Sequence, residues 1–182
     1  DYQAPVLRTA GLVDAARKME WKRLPEMLAW LEEKDRDEVV ATSLIRLLRA
    51  CQDERKWPAF ITALSDPSPL VRGAAAAALA GYVTPQSVHP LLAATRDDYR
   101  LVRVRAAAAL AGVPPERLGG MDRQSLEKAR EEAETSFRAR PDDHASHYNL
   151  GNLYLAEGNP KKAVDEYEIS SRLRPDSVPP LV

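Results

Sequence analysis

The chain has 182 residues, with 26 Lys and Arg against 27 Asp and Glu, three His and one Cys. That length suits one ordinary domain or two small ones, and a net charge of −1 with both signs interspersed gives no bulk attraction to nucleic acid or an anionic membrane. A single cysteine excludes internal disulfides and Cys-clustered zinc or iron–sulfur sites, and no apolar run approaches the roughly 20 residues that span a bilayer.

The chain opens at Asp1 without Met or a signal peptide, so an excised or processed segment is expected. Self-similarity dominates the middle of the chain. Val71 to Gly81 and Val102 to Gly112 are identical at nine of eleven positions, at an offset of 31. The same offset carries Asp66 onto Asp97 and Leu70 onto Leu101, and backwards it lands on Asp35, Val39, Val40, Leu44 and Leu48. Each period holds a shorter apolar helix, predicted at about 24–33, 57–64 and 86–94, and a second helix at about 38–50, 69–80 and 100–111. Their apolar residues fall at i, i+3, i+4 and i+7, as a buried helical stripe requires. Asp66-Pro67-Ser68-Pro69 reads as a turn feeding a helix, and Gly81 and Gly112 stand where C′ glycines end helices. No segment alternates long enough to suggest a sheet.

Helix pairs at this period, with Asp six residues before Arg, resemble HEAT repeats of the short, lyase-like kind. The residues that carry the likeness are Asp66, Pro67, Val71, Arg72, Ala75 and Leu79, then Asp97, Val102, Arg103, Ala106 and Leu110, within residues 20–113. Asp35 departs from it, because position 41 is Ala. The resemblance implies that Arg72 and Arg103 each reach an Asp of their own or the adjacent repeat, among Asp35, Asp66 and Asp97.

Two prolines and two glycines between Val113 and Gly120 mark a linker or tight corner, so the chain divides into helical repeats over 1–113, a linker over 114–121 and a further helical region over 122–182. Asp122 to Arg140 reads as an amphipathic helix with Asp122 as N-cap and Leu126, Ala129, Ala133 and Phe137 along one face. From His144 to Pro175, the spacing of Leu150, Gly151, Tyr154, Ala163, Tyr167 and Pro175 resembles one tetratricopeptide (TPR) repeat. Gly151 and Ala163 would let two helices approach, with Gly158-Asn159-Pro160 as the turn. His147 and Ser170 depart from that pattern and imply weaker contacts. The 122–140 helix then completes a preceding partial repeat, and 176–182 begins another first helix. The fold class is therefore all-α, an alpha-alpha superhelix of HEAT-like hairpins continuing into TPR.

Chemistry-bearing groups are few. Cys51, at a helix end, reads as a structural thiol. His144 and His147 at i, i+3 could hold a metal, with Asp142 and Asp143 near, though no third ligand of suitable spacing is evident. Arg96, Arg100, Arg103 and Arg105 form a basic cluster; one reading is a phosphate or acidic-peptide site, the other a repeat arginine with neighbours offset by Asp97, Asp98 and Glu116. A second candidate groove is lined by Ala145, Tyr148, Asn149, Asn152 and Ala156; Tyr148 stands where a carboxylate clamp of the TPR family has Lys, so that ligand class is not expected. On the second helices, Gly73, Ala76, Ala77 and Ala80, with Val104, Ala107, Ala108 and Ala111, lie off the inward seam. Either they pack helices tightly or they form an apolar partner groove. The expected partner-binding residues are accordingly Ala76, Ala80, Val104, Arg105, Ala107, Tyr148, Asn149 and Asn152.

The order of parts is similar to the haem-free C-terminal region of bacterial multihaem c-type cytochrome-like TPR proteins, in which doubled Cys-x-x-Cys-His motifs lie upstream. This resemblance implies a periplasmic setting, with the cytoplasm as the alternative. The expectation is a non-catalytic protein-interaction scaffold with no cofactor and no membrane insertion. Its partner would be a protein or peptide, including an upstream haem domain of the same polypeptide, and not nucleic acid. The rival is a HEAT-type enzyme or a cofactor- or metal-binding module.

Overall fold

A computed structural model describes residues 3–177. Among them there is no strand, and the chain is an all-α helical repeat that divides into two compact units, Asp1–Pro90 and Leu91–Val182. The first unit holds α1 (Gln3–Arg17), α2 (Leu24–Leu31), α3 (Glu38–Leu48), α4 (Lys56–Ala63) and α5 (Pro69–Ala78). The division falls inside α6 (Pro85–Ala94), after Pro90, a residue that cannot donate to the helical ladder. The second unit continues with α7 (Arg100–Ala109), α8 (Gly120–Arg138), α9 (His144–Ala156) and α10 (Pro160–Leu173). Each of the six expected repeat helices forms close to its predicted bounds.

Side-chain caps set the starts of α3, α5, α9 and α10. The Asp37 carboxylate accepts from the Val39 and Val40 amides, the Ser68 hydroxyl from Leu70, Asp143 from Ser146 and Asn159 from Lys162, each satisfying amides that lack a helical partner. Pro at the first turn of α5 and α10 fits the same logic. Gly81 ends the α5 segment at φ 83°, a conformation open to glycine. Gly112 does not take a positive φ, so it is not a left-handed cap. Asp122 is not an N-cap either: α8 begins two residues earlier, and Asp122 pairs with Arg96 at 2.7 Å. The expected linker over 114–121 contains a 3-10 turn, Pro115–Arg117, before α8 begins at Gly120. The helix expected at the C-terminal end lies outside the described residues, apart from a 3-10 turn over Pro175–Ser177.

In the first unit α3 packs between α1 and α5, and α4 packs on α5 and α2. Leu24, Met27, Leu44, Ile45, Leu48 and Phe60 are fully buried, each contributing about 1.5–3 kcal/mol on leaving water. In the second unit, α7 packs on α8, α8 on α9 and α9 on α10. Val104, Ala107 and Ala111 of the α7 segment meet Ala129 and Ala133 of α8 and Leu153 of α9, with Phe137 against them.

Most of the alanine face is buried. Ala76 and Ala107 are 0% exposed, and Gly73, Val104 and Ala111 are also buried. They are core and not an open groove; in the second unit the chain's own α8 and α9 cover α7, and Ala at these positions lets the backbones approach. Of the candidates on these helices only Ala80 is exposed, while Arg105 is half-buried.

Two buried cations close helix C-termini, where unpaired carbonyls and the dipole favour positive charge. The Lys56 ammonium donates to the carbonyls of Leu48, Arg49 and Cys51 behind α3. One terminal nitrogen of Arg130 donates to those of Leu110, Ala111 and Val113 behind α7, at 2.8–2.9 Å. Burial lowers the pKa of both.

Candidate functional site

The repeated Asp and Arg build the same turn twice. Asp66 Oδ1 accepts from the Ser68 amide and Asp97 Oδ1 from the Tyr99 amide, tightening the bend before the second helix. Arg72 Nη1 then donates to the Asp66 and Pro67 carbonyls, and Arg103 Nη1 to the Asp97 and Asp98 carbonyls. Each arginine thus reaches the aspartate of its own repeat through its main chain. The Asp66 carboxylate pairs with Arg36, almost wholly shielded from water. The repeat gives no reason to expect Arg36, which stands five residues before the Ala41 that replaces the repeat arginine.

Arg103 also binds a carboxylate that sequence reasoning missed. Its Nε and Nη2 donate to Glu132 of α8 at 2.8 and 2.6 Å, a two-pronged pair. The Arg103 hydrogen bond holds the Glu132 carboxyl below its usual range, against the opposing effect of burial, and Arg100 and Lys128 act in the same direction. Arg100 Nε lies 3.5 Å from Glu132 Oε1. The only sequence signal is the Lys128–Glu132 spacing on an amphipathic helix, which says nothing about a partner 29 residues away.

Between the 95–103 stretch and α8 lies an open cleft of about 890 Å³. Arg96, Arg100 and Arg103 wall one side; Ser125, Lys128 and Glu132 wall the other. Asp97, Asp98 and Glu131 share it, so the lining carries cations and carboxylates in equal number. Three of the four arginines of the basic cluster are brought together here. Arg105, the fourth, is not part of the lining.

The second candidate surface lies on the α9–α10 hairpin. Leu150, Tyr154 and Ala163 form its buried seam, with Phe137 and Tyr167 packed against them. A Cβ on Gly151 would stand under 3.0 Å from three carbons of the Tyr167 ring, so this close approach requires glycine. Tyr167 Oη donates to Asn152 Oδ1 at 2.8 Å. Tyr148 is 40% exposed, tilted against Tyr167 with ring centroids 5.7 Å apart, and Asn149 is half-buried. The Asn152 carbonyl oxygen is therefore engaged within the hairpin, leaving Tyr148 as the exposed member of the set. Pro175 opens the turn after α10 and is exposed.

The two departures from the TPR pattern are well-made contacts, contrary to expectation. Ser170 is fully buried and donates to the His144 carbonyl at 2.8 Å. His147 Nδ1 lies 2.6 Å from Glu166 Oε2 and its Nε2 lies 3.0 Å from the Pro141 carbonyl. Both partners carry acceptor oxygens, an arrangement that favours the doubly protonated ring. Burial opposes that charge, but the bonds to Glu166 and Pro141, with the charges of Glu166 and Asp143, outweigh it and raise the pKa. Both His147 nitrogens are engaged by these partners, so a His144/His147 chelate would have to break one of the two contacts. Among the described residues no group of three His, Cys, Asp or Glu is placed to hold a metal ion. Cys51 is fully buried.

No helix among the described residues is long and apolar enough to cross a membrane. No curated protein matches the chain at a significant level. Residues 24–111, from the start of α2 to the residues just after α7, match the family model for HEAT repeats, whose members generally mediate protein–protein interaction.

Proposed function

We propose that the chain is a non-catalytic scaffold that docks a partner protein or peptide in the cleft between the 95–103 stretch and α8. One observation carries this reading: a solvated cleft of about 890 Å³ is walled by side chains fixed in place by charge-assisted bonds, Arg103 to Glu132 and Arg96 to Asp122. Such a preorganised polar surface suits a partner's main chain and side chains, because little ordering is required on binding. The similarity of residues 24–111 to HEAT repeats supports the same class of function.

The α9–α10 hairpin is read as a TPR-type unit on the strength of the Gly151–Tyr167 approach and the Leu150–Tyr154–Ala163 seam. The setting is read as periplasmic, within a larger multihaem cytochrome-like protein. That part rests on the order of motifs in the sequence, from Asp-Pro-Ser-Pro-Leu-Val-Arg through Arg140-Pro141 to Leu173-Arg174-Pro175. Haem staining and fractionation of cells producing the full open reading frame test it: a haem-bearing periplasmic product is expected, and a haem-free cytoplasmic one would refute it.

The docking role is tested by placing a photo-cross-linking residue at Ser125 or Thr135 in the cleft, and at Gln52, which is exposed in the first unit, as control. Adducts with one discrete partner protein are expected from the cleft positions alone. No adduct, or equal adducts from Gln52, would overturn the reading.

A further inference from the structure

Charge is unevenly matched around Glu132. One carboxylate faces three cations: Arg103, Arg100 and Lys128. Arg103 uses four of its five N–H groups, with Nη1 on two carbonyls and Nε and Nη2 on Glu132. Arg100 touches only Glu132 Oε1, at 3.5 Å, an oxygen that Arg103 already holds at 2.6 Å, and its side chain is 56% exposed. Lys128 lies one turn before Glu132 on α8 and lines the same cleft, and among the described residues its ammonium makes no hydrogen bond or ion pair. Arg96, the remaining cation of the lining, is occupied by Asp122. Arg100 and Lys128 are thus the two cations of the lining without a close carboxylate partner of their own, one on each wall.

The hydroxyls add a second constraint. Ser125 Oγ donates to the Met121 carbonyl and Thr135 Oγ1 to the Glu131 carbonyl, at 2.7 and 2.9 Å. Having given their protons to the helix, both can only accept, which matches the N–H groups of a peptide. Met121, one turn before Ser125 on α8, is 71% exposed and adds an apolar surface along the same face.

We infer that this cleft binds an extended peptide segment through an Asp or Glu side chain held between Arg100 and Lys128, with its amides donating to Ser125 and Thr135 and an apolar neighbour against Met121. This rests on the scaffold reading and names the chemistry of its partner. Carboxylate is favoured over a nucleic-acid backbone because a row of phosphates would run along Asp98 and Glu131 in the same cleft, while a single carboxylate needs only the place between Arg100 and Lys128.

The probe is the peptide acetyl-Ala-Leu-Glu-Leu-Ala-amide, titrated into the ¹⁵N-labelled chain and followed by amide chemical shifts, alongside its Gln counterpart and inorganic phosphate. Saturable shifts confined to residues 95–103 and 121–135 are expected, with the Gln peptide at least tenfold weaker. Arg100→Glu and Lys128→Glu, both at solvent-accessible side chains, should each weaken the Glu peptide at least tenfold with the remaining spectrum unchanged. Absence of confined shifts, equal binding of the Gln peptide, or equal binding of phosphate at the same amides would overturn the inference. Cross-linking at Ser125 that is indifferent to Lys128→Glu would sink this inference and leave the scaffold reading standing.

Discussion

Lys56 and Arg130 solve the same problem in the two units, and the difference between them is instructive. Each is a buried cation without an ion-pair partner among the described residues, placed behind the C-terminus of a repeat helix and donating to three carbonyls. Lys56 arrives from the next helix, five to eight residues on, so its cap is nearly local. Arg130 arrives from α8, 17–20 residues on, so it closes α7 and ties α8 to it at once. An ammonium converges on one point, whereas the guanidinium spends one terminal nitrogen on all three carbonyls and leaves Nε buried without a partner. Short-range capping stabilises a helix end; long-range capping also fixes which helices are neighbours.

The largest effect expected from breaking this comparison is at Arg130. Arg130→Met leaves three carbonyls unsatisfied and should destabilise the second unit by about 3 kcal/mol in urea unfolding. Lys56→Met should cost the first unit about 2 kcal/mol, because its loop can relax to water. Equal effects, or both under about 0.5 kcal/mol, would mean that water replaces the cations freely.

Gly151→Ala comes next, at about 2 kcal/mol, because the Tyr167 ring must move out of a fixed hydrogen bond. Adding Tyr167→Leu should recover most of that loss. A Gly151→Ala variant as stable as the parent would show that α9 and α10 do not approach as described.

The smallest effects are pH dependences of opposite sign. His147 is raised above its ordinary 6.5, so its contribution is fully present below that value and is lost as pH rises through the folded pKa. Unfolding of the second unit should therefore become easier across neutral pH by about 1.5 kcal/mol, the worth of one charge-assisted hydrogen bond, and His147→Gln should flatten the slope. Lys56 is lowered by burial, so between its folded value and the ordinary 10.5 the unfolded chain holds the extra proton. The first unit should gain stability as pH climbs through that window, and Lys56→Met should abolish the gain. Slopes of the same sign would contradict the pairing.

How much of the fold is legible in the sequence depends on the reach of each interaction. The six repeat helices are legible because their apolar stripes and turn residues are local signals. α1 does not read as a repeat helix, and its burial pattern explains why: a shift of 29, and not 31, carries Leu12, Ala15 and Ala16 onto Ala41, Leu44 and Ile45. The Asp and Arg of each turn are legible as a pair, but Arg36 and Glu132 are not, since their partners lie 30 and 29 residues away with no spacing rule to link them. The basic cluster is visible in the sequence; that Arg100 lacks a close carboxylate of its own in the cleft, and that Lys128 of α8 faces the same space, emerges only from the structure. The alanine face misleads because Ala suits both an apolar groove and a tight helix contact, and only the cover supplied by α8 and α9 distinguishes them in the second unit.

The central claim is that this alanine face is interior, which leaves the polar cleft as the proposed place of docking. Native-state hydrogen exchange on the intact chain tests it most directly. The amides of 104–111 should exchange as slowly as those of Leu150 to Tyr154, both released only by unfolding of the second unit. Exchange of 104–111 within minutes, while 150–154 stays protected, would mean that α8 and α9 do not cover α7 and would return the alanine face to the surface.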